Sequence, residues 1–471
     1  MLAIGLPRPL PERSVTTVTC DQAGETRALA SAGGSAVFCR ELDKDYPLIE
    51  RGEGVCLYDT AGNRYLDASS GAMIASLGHG YIPEIHGAIA AQYGRVSYVY
   101  SDIVTSVPHE ELAREVAAVA PESFTRVRIM TEGTAANEMA ARLARAYHVE
   151  RGDDTRHLVL SMGQAYHGAS MFTLALTDRP GLQEPYQPYM RPQRHFPPAT
   201  WRTDPTGQTA LAELDAELDQ AGPGTVAAVL LEPVSAMALP GYSPPPAFWA
   251  GLADLRQQHG FLIWFDEVVT GFGRTGSWFA AARTPLLPDI ITFGKGLGAG
   301  FFPLAGMLAA DHVYEAIAKG SRVFDHGHGW DGAPISCAAG LAVLRYLQRH
   351  RLVESVARRG PLFLSALERA LDGLGVVAEV RGRGFLLGVS YARPDDPMRL
   401  LDADLKFAQQ VDAEAVRRGL LVRSTHPNAD GMTGDQTLLA PPFIITEQEW
   451  AQAVQLLADT VRDVAERNGL T

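Results

Sequence analysis

The feature that most restricts the fold of this chain is a series of short, almost continuous apolar runs in its middle part. Helical stretches lie between several of these runs, which cover residues 126–130, 157–162, 226–234, 261–268, 289–294 and 304–310. Short runs without polar alternation are typical of strands buried on both faces of a parallel sheet. Intervening helices are what parallel crossover connections require. The pattern predicts an α/β fold with a mostly parallel sheet.

The sequence on either side of this region predicts further parts. The first 30 or so residues show no sustained period and are expected to form an extended arm. Residues 376–391 are typical of a strand–turn–strand unit between two helical stretches, which predicts a smaller α+β domain. We therefore expect an arm with part of the small domain in 1–80, a large ligand-binding domain in 81–345, and the rest of the small domain in 346–471.

Charge and cysteine content restrict the partners. The net charge of −13 argues against nucleic acid or an anionic membrane as a partner. We expect no membrane span and no signal peptide, because there is no long apolar run and no basic segment followed by an apolar one. The four cysteines, Cys20, Cys39, Cys56 and Cys337, form no CxxC pair and match no zinc spacing. They predict reduced thiols, a cytoplasmic location and no metal site.

An aspartate closes one of the apolar runs. In "FLIWFDEV" the run ends at Asp266, and ligands of open α/β sheets bind at the carboxyl ends of strands. A buried carboxylate is costly unless it is paired, and a protonated ring nitrogen is a suitable partner. An aspartate that caps a turn or helix is an equally good interpretation. The run also resembles a nucleotide-hydrolase strand, but the chain contains no G-x-x-x-x-G-K-[ST] phosphate loop.

A lysine follows the next apolar run. The chain has four lysines among its 41 lysines and arginines, and Lys295 lies within the glycine cluster "GKGLGAG". An amine can condense with an aldehyde, whereas a guanidinium, which stays protonated, does not. Burial lowers the pKa of a lysine and favours that reaction. The alternative is a surface lysine in a turn.

Two more segments are candidates for ligand contacts. In "MTEGTAANEMAARLAR", Gly133 and Thr134 lie where a loop enters a helix, and helix N-termini bind anions such as phosphate. A plain threonine N-cap is the commoner use of such a residue. In "GQAYHGAS", Tyr166 follows a predicted strand, so its ring is placed to stack on a flat ligand or simply to pack in the core.

Together and in this order, these segments resemble the class III aminotransferases, which are pyridoxal-phosphate enzymes of fold type I. The resemblance covers roughly residues 45 to 460, and its strongest motifs are "DEVVTGFGRTG", "PDIITFGKGLGAG", "LLEPV", "AYHG", "RGEGVCLYDTAGNRYLD" and "LLAPPFIIT". It implies a large domain with a mostly parallel seven-stranded sheet between helices and a small α+β domain from both chain ends. It also implies a homodimer with active sites at the interface.

The resemblance implies a role for each candidate residue. Pyridoxal phosphate is expected to form a Schiff base with Lys295, and Asp266 to keep its ring nitrogen protonated. The resemblance further implies that Gly133 and Thr134 bind the phosphate. It implies that Tyr166 and Val268 contact the two faces of the ring. Further cofactor contacts are implied for His167, Glu232 and Gly329. For Glu232, satisfying loop backbone is nearly as good an interpretation.

The implied activity is transamination. We expect an amino group to pass from a primary amine or ω-amino compound to a keto acid or aldehyde, with pyruvate or 2-oxoglutarate as acceptor, in a ping-pong reaction. An aminomutase, a racemase or a decarboxylase on the same fold is the alternative, since these relatives share the lysine and the aspartate. A non-catalytic cofactor-binding regulator is a further alternative.

The chain departs from the family pattern at three positions. Val269 stands where many members have a glutamine, as in amine-type transaminases, which also carry an apolar residue there. Met237 stands where ornithine- and 4-aminobutyrate-type members have the glutamate that pairs with a carboxylate-binding arginine. Gly329 replaces the threonine that reaches the phosphate bound to the neighbouring subunit, so only its backbone N–H can make that contact.

Substrate contacts are less well defined by the sequence. Arg423 precedes Gly434-Asp435 and is a candidate for binding a substrate carboxylate, although an arginine that serves the fold explains it equally well. Met73, Tyr98 and Tyr100 are candidates for lining the substrate pocket, with core packing as the alternative.

Overall fold

The computed structural model describes residues 29–30, 36–42, 44–425 and 434–470. Most of the predicted extended arm, together with Cys20 and the loop that follows Arg423, lies outside these residues. The described residues form two compact units. One covers the residues up to Arg51 and Tyr58–Asn63, and the other covers Gly52–Leu57 and the residues from Arg64 onward.

The N-terminal part contains short strands. β1 and β2 pair with each other in antiparallel fashion. The strands are β1 (Leu29–Ala30), β2 (Tyr46–Pro47), β3 (Ile49–Glu53), β4 (Cys56–Asp59) and β5 (Arg64–Asp67). Helices α1 (Ser70–Met73), α2 (Pro83–Tyr93) and α3 (Val107–Val119) follow.

A seven-stranded sheet forms the centre of the larger unit in the part of the chain that the structure describes. Its strands are β6 (Arg126–Met130), β7 (Leu158–Met162), β8 (Arg194–Phe196), β9 (Val226–Leu231), β10 (Leu262–Glu267), β11 (Ile290–Phe293) and β12 (Ala305–Ala309). Their order across the sheet is β6-β12-β11-β10-β9-β7-β8. All pairs are parallel except the two that β12 makes with β11 and β6. The predicted α/β class and mostly parallel sheet are confirmed.

Burial explains the apolar runs. Every residue of β9, β10, β11 and β12 is buried, as expected for strands that are covered on both faces. The helices between strands of this sheet are α4 (Gly133–Glu150), α5 (Met171–Leu176), α6 (Pro180–Gln183), α7 (Gln208–Ala221) and α8 (Pro246–His259). Helices α9 (Asp311–Lys319) and α10 (Pro334–Arg349) follow its last strand, β12. Helix α4 contacts β9, β10, β11 and β12. No helix within the described ranges is long and apolar enough to cross a membrane.

The C-terminal part has the predicted mixed character. Helices α11 (Leu352–Leu371), α12 (Phe407–Arg417) and α13 (Glu447–Arg467) accompany strands β13 (Val377–Arg383), β14 (Leu386–Tyr391), β15 (Leu420–Leu421), β16 (Arg423–Thr425) and β17 (Gln436–Leu439). A second sheet has the order β13-β14-β17-β16, and β15 instead pairs in parallel with β5 from the N-terminal part. The division at residues 80 and 345 stays a prediction.

Candidate active site

Six strands of the large sheet run in one direction, and the segments at the ends of five of them reach the same pocket. β6 and β11 are both antiparallel to β12, so they point the same way, and β7, β8, β9 and β10 are parallel to β11 or to one another. The pocket has a cavity volume of about 180 Å³ and is partly open to solvent. Its lining includes Gly133, Tyr166, Glu232, Asp266 and Lys295, one from the end of each of these five strands.

Asp266 is held by three N–H donors. Its Oδ2 accepts hydrogen bonds from Asn137 Nδ2 at 2.8 Å and from His167 Nδ1 at 2.9 Å. Its Oδ1 accepts one from the Val268 backbone N–H at 3.0 Å. The side chain is almost fully buried, and these donors compensate its negative charge. The proton on His167 Nδ1 is assigned from this geometry, since a carboxylate can only accept. The pocket therefore contains one carboxylate in a fixed orientation.

Lys295 lies two residues after β11, at the start of the 3-10 turn Lys295–Leu297. Its φ of 35° is in the left-handed region, which costs about 1 kcal/mol for a residue with a Cβ. Burial lowers the pKa of its amine to about 8; the negative charges of Asp266 and Glu232 oppose this shift, and the positive charge of Arg423 adds to it. A lower pKa leaves more of the amine neutral, and hence nucleophilic, near neutral pH.

The start of helix α4 forms another part of the pocket wall. The N-cap residue, Glu132, makes no side-chain hydrogen bond to the first turn, so the backbone N–H groups of Gly133 and Thr134 are placed for an anion. A Cβ on residue 133 would come within 2.9 Å of Val268 Cγ1, so only glycine fits here. Thr134 Oγ1 accepts a long hydrogen bond, 3.4 Å, from the Ala169 N–H.

The remaining predicted cofactor residues of the pocket differ in exposure. Tyr166 is 37% exposed at the pocket, so one ring face is accessible to a ligand. His167 is buried, and its backbone N–H donates to Thr177 Oγ1 at 2.9 Å. Glu232 is also buried, which raises its pKa, and its Oε2 accepts from the Ala236 N–H at 3.2 Å. His167 therefore lines the pocket and also contacts Asp266.

The two departures from the family pattern near β9 and β10 both lie on the pocket wall. Val269 and Met237 line the pocket and pack against a buried apolar cluster that includes Met73. Met73 itself is 1% exposed, so it lies behind this wall. The wall on this side is therefore apolar at both positions.

Gly329 and Tyr98 are together, but away from the pocket lining of the described chain. The Tyr98 hydroxyl donates to the Gly329 carbonyl at 2.7 Å, and the Tyr98 ring makes an edge contact with Trp330. Gly329 is exposed, as are Tyr98 and Tyr100. The predicted contact of Gly329 with the phosphate on a neighbouring subunit stays a prediction.

Arg423 and Asn137 complete the site in different ways. Arg423, on β16, is close enough to Lys295 for its charge to affect the lysine pKa, so the charge of this C-terminal strand acts on the pocket.

Asn137 was missed by sequence reasoning, although it lies one helical turn after Gly133, on the same face of α4. That spacing is the signal that would have identified it.

Glu267, the second carboxylate of the "DE" pair, has a structural role. It accepts hydrogen bonds from the backbone N–H groups of Ala280 and Ala281 and from Thr270 Oγ1, and it is fully buried. Burial raises its pKa to about 7. Glu267 thus anchors the 3-10 turn Ala280–Arg283, which accounts for the carboxylate that resembles a nucleotide-hydrolase strand.

The arrangement has the parts that a flat, phosphorylated aldehyde requires. The amine of Lys295 can bond to a carbonyl carbon, Asp266 can pair with a protonated ring nitrogen, and the start of α4 can hold a phosphate. Lys295 and Asp266 come from adjacent, parallel strands, so the sheet itself fixes their relative positions.

Comparisons with known proteins agree with this chemistry. The aminotransferase class-III family profile matches residues 40–461. An uncharacterized aminotransferase of Bacillus subtilis (strain 168), YodT, is 32% identical over 433 residues, which cover 90% of this chain and 97% of the relative.

Solved structures give the same result. A thermostable (S)-enantioselective omega-transaminase from Thermomicrobium roseum superposes with a TM-score of 0.84 at 31% identity, over 92% of this chain and 97% of the other. An amine transaminase from an uncultivated Pseudomonas species, in a PLP-bound form, has a TM-score of 0.81 at 27% identity, over 95% and 99%. The fold is that of the fold-type-I pyridoxal-phosphate enzymes.

Proposed function

The chain belongs to the class III aminotransferases, which depend on pyridoxal phosphate, and from this premise we propose a specific reaction. The enzyme transfers the amino group of a primary amine or ω-amino compound to a keto acid or aldehyde, with pyruvate or 2-oxoglutarate as the acceptor, in two ping-pong half-reactions. The observation that carries this proposal is the Lys295 amine and the Asp266 carboxylate in one pocket beside the start of α4.

The residues of the pocket fit this cofactor. Gly133 leaves room that a Cβ would fill, and the uncapped helix start suits a phosphate. The partly exposed Tyr166 ring and the Val268 side chain suit the two faces of a flat ring. When bound, pyridoxal phosphate supplies an electron sink for the substrate carbon that loses its proton.

Lys295 has two tasks in the proposed reaction. Its neutral amine would hold the cofactor by condensing with the aldehyde, with loss of water, and once a substrate amine had taken its place Lys295 Nζ would be free to accept the proton of the amine-bearing carbon. Both tasks need an unprotonated nitrogen, and the lowered pKa, about 8, provides it close to neutral pH. Asp266 would pair with the ring nitrogen and favour its protonated form.

The pocket wall supports the proposed substrate classes. Met237 and Val269 offer apolar surface, which suits an amine with an apolar substituent better than a dicarboxylate donor. Arg423 is the proposed partner for the carboxylate of the keto acid, because its charge reaches the site and guanidinium–carboxylate pairing is strong.

An isotope experiment tests the transfer. The holoenzyme is incubated with a ¹⁵N-labelled primary amine and either pyruvate or 2-oxoglutarate, and the ¹⁵N content of the amino acid formed is measured by mass spectrometry. We expect label in alanine or glutamate, and none with Lys295→Ala. An isomerised donor, or release of carbon dioxide without labelled amino acid, would contradict the proposal and favour an aminomutase, a racemase or a decarboxylase.

We also propose a homodimer with active sites at the interface. The aromatic group of Tyr98 and Trp330, 43% and 61% exposed, surrounds Gly329 and is suited to contact with a second copy. Analytical ultracentrifugation should show twice the chain mass, and Trp330→Asp should shift the enzyme toward monomer.

The proposed location is the cytoplasm, supported by the free thiols of Cys39, Cys56 and Cys337.

A further inference from the structure

We propose that Asn137 and His167 are positioning residues that fix Asp266 toward the cofactor ring nitrogen. Both side chains act on the cofactor through this carboxylate. The inference rests on the proposed roles of Asp266 and Lys295 and assigns the groups on which the role of Asp266 depends.

The three residues form a closed triangle of hydrogen bonds. Asn137 Nδ2 donates to Asp266 Oδ2 at 2.8 Å and to the His167 carbonyl at 2.6 Å, and His167 Nδ1 donates to the same Asp266 oxygen at 2.9 Å. The triangle joins helix α4, the segment after β7 and strand β10. Because each residue is held by the other two, none can rotate without breaking a hydrogen bond to a charged group, which is worth about 1.5–3 kcal/mol.

The other polar atoms of the two side chains support a functional role. Asn137 Oδ1 and His167 Nε2 are buried and have no hydrogen-bond partner among the described residues. Burying one such atom costs about 1–3 kcal/mol, and buried polar side chains that serve packing alone are normally satisfied at each atom. Asn137 and His167 each have one such atom, and both side chains donate a hydrogen bond to Asp266. Unsatisfied polar atoms around one carboxylate are typical of a preorganised site.

Fixing Asp266 matters because its charge must face a single cation. A carboxylate that rotates is close to the ring nitrogen in only a fraction of the molecules. A carboxylate held by hydrogen-bond donors stabilises the positive charge of the ring nitrogen without reorganisation. His167 was grouped with the cofactor contacts in the sequence prediction. His167 lines the pocket, and its Nδ1 also contacts Asp266 Oδ2, so it can act on the cofactor through Asp266. The predicted direct contact of His167 with the cofactor stays a prediction.

The experiment compares variants that keep or remove the donors. His167→Asn retains an N–H at the position of Nδ1, whereas His167→Phe and Asn137→Leu keep the volume without the donor. His148 is the matched control, since it is an equally buried histidine on the same helix as Asn137 and its Nε2 contacts the Ala227 carbonyl, outside the pocket lining. The dissociation constant of pyridoxal phosphate, the visible circular dichroism of the bound cofactor and the thermal midpoint are measured for each.

We expect His167→Phe and Asn137→Leu to weaken cofactor binding roughly tenfold and to reduce the visible circular dichroism, because a hydrogen bond to a charge is lost. His167→Asn should restore both to near the wild-type values. His148→Phe should lower the thermal midpoint alone. In an Asp266→Asn background, His167→Phe should cause no further loss, since the two side chains act as one unit.

Wild-type binding and dichroism in His167→Phe, or full additivity with Asp266→Asn, would overturn the inference. The proposed function fails separately. If Asp266→Asn and Lys295→Ala leave cofactor binding unchanged, the assignment of the cofactor site is wrong. If those two variants lose the cofactor while His167→Phe and Asn137→Leu keep it, only the positioning role is wrong.

Discussion

Gly133 and Val268 approach each other so closely that a Cβ on residue 133 would lie 2.9 Å from Val268 Cγ1 and 3.0 Å from Cγ2. Gly133 opens helix α4, and Val268 follows Asp266 by two residues, with its N–H bonded to Asp266 Oδ1. The contact therefore draws the helix start against the segment that carries the carboxylate. The contact therefore sets the distance between the proposed phosphate-binding site at the start of α4 and Asp266, the proposed partner of the ring nitrogen.

Gly133→Ala should weaken the affinity for pyridoxal phosphate by tenfold or more, because overpacking of about 1–3 kcal/mol forces α4 and Val268 apart. Titration of the cofactor-free protein measures this. Gly87→Ala is the control, since no atom lies within 4 Å of a Cβ at that helical position. It should bind normally and be more stable by about 0.5–1 kcal/mol. Normal affinity in Gly133→Ala would show that the contact does not define the site, whereas partial rescue by Val268→Ala would support it.

The rate at which the cofactor-free enzyme captures pyridoxal phosphate should rise with pH and level off above about pH 8. Only the neutral amine of Lys295 reacts, and its pKa is lowered to about 8 from 10.5 by burial. Stopped-flow absorbance over about pH 6 to 10 gives the midpoint. Lys295→Arg should show no covalent capture at any pH, because a guanidinium stays protonated. A midpoint near the ordinary lysine value would mean that the amine is solvated before the cofactor binds.

Arg423→Gln should change two measurements at once. The KM for the keto acid should rise about tenfold, because a charged hydrogen bond to its carboxylate is lost, while the KM for the amine should change little. The midpoint of cofactor capture should move to higher pH, since the positive charge of Arg423 lowers the pKa of Lys295. Arg417→Gln, which removes an exposed arginine paired with Glu414, should change neither. An unchanged keto-acid KM, with a shifted capture midpoint, would assign Arg423 an electrostatic role only.

Glu267→Gln should remove part of the pH dependence of stability. Burial raises the pKa of Glu267 to about 7 in the folded state, from 4.5. Between these values the folded state holds a proton that the unfolded state has lost, so wild-type stability should fall as pH rises from about 4.5 to 7. The contribution is on the order of 3 kcal/mol. Urea denaturation of both proteins across this range checks it, and parallel pH profiles for the two would contradict the prediction.

Most of the large sheet could be predicted from the sequence. The six apolar runs correspond to β6, β7, β9, β10, β11 and β12, because a strand covered on both faces has no polar side. The seventh strand, β8, was not predicted, since its three residues, Arg194–Phe196, lie in a proline-rich loop and include only one buried side chain. The direction of β12 was not predictable either, because an apolar run has no sign that distinguishes parallel from antiparallel pairing.

For the candidate active site too, some features could be predicted from the sequence and others could not. The chemical groups at the strand ends could be identified from the sequence, because a lysine amine, an aspartate and a glycine-led helix start are each defined by a few neighbouring residues. The surroundings of these groups became known from the three-dimensional structure. Asn137 and His167 hold Asp266 from 129 and 99 residues away, Met73 packs behind the wall instead of forming it, and burial sets the pKa of Lys295. Hydrogen-bond partners and desolvation depend on which segments come into contact in the fold. Those segments are far apart in the sequence, so a local sequence pattern does not show that they meet.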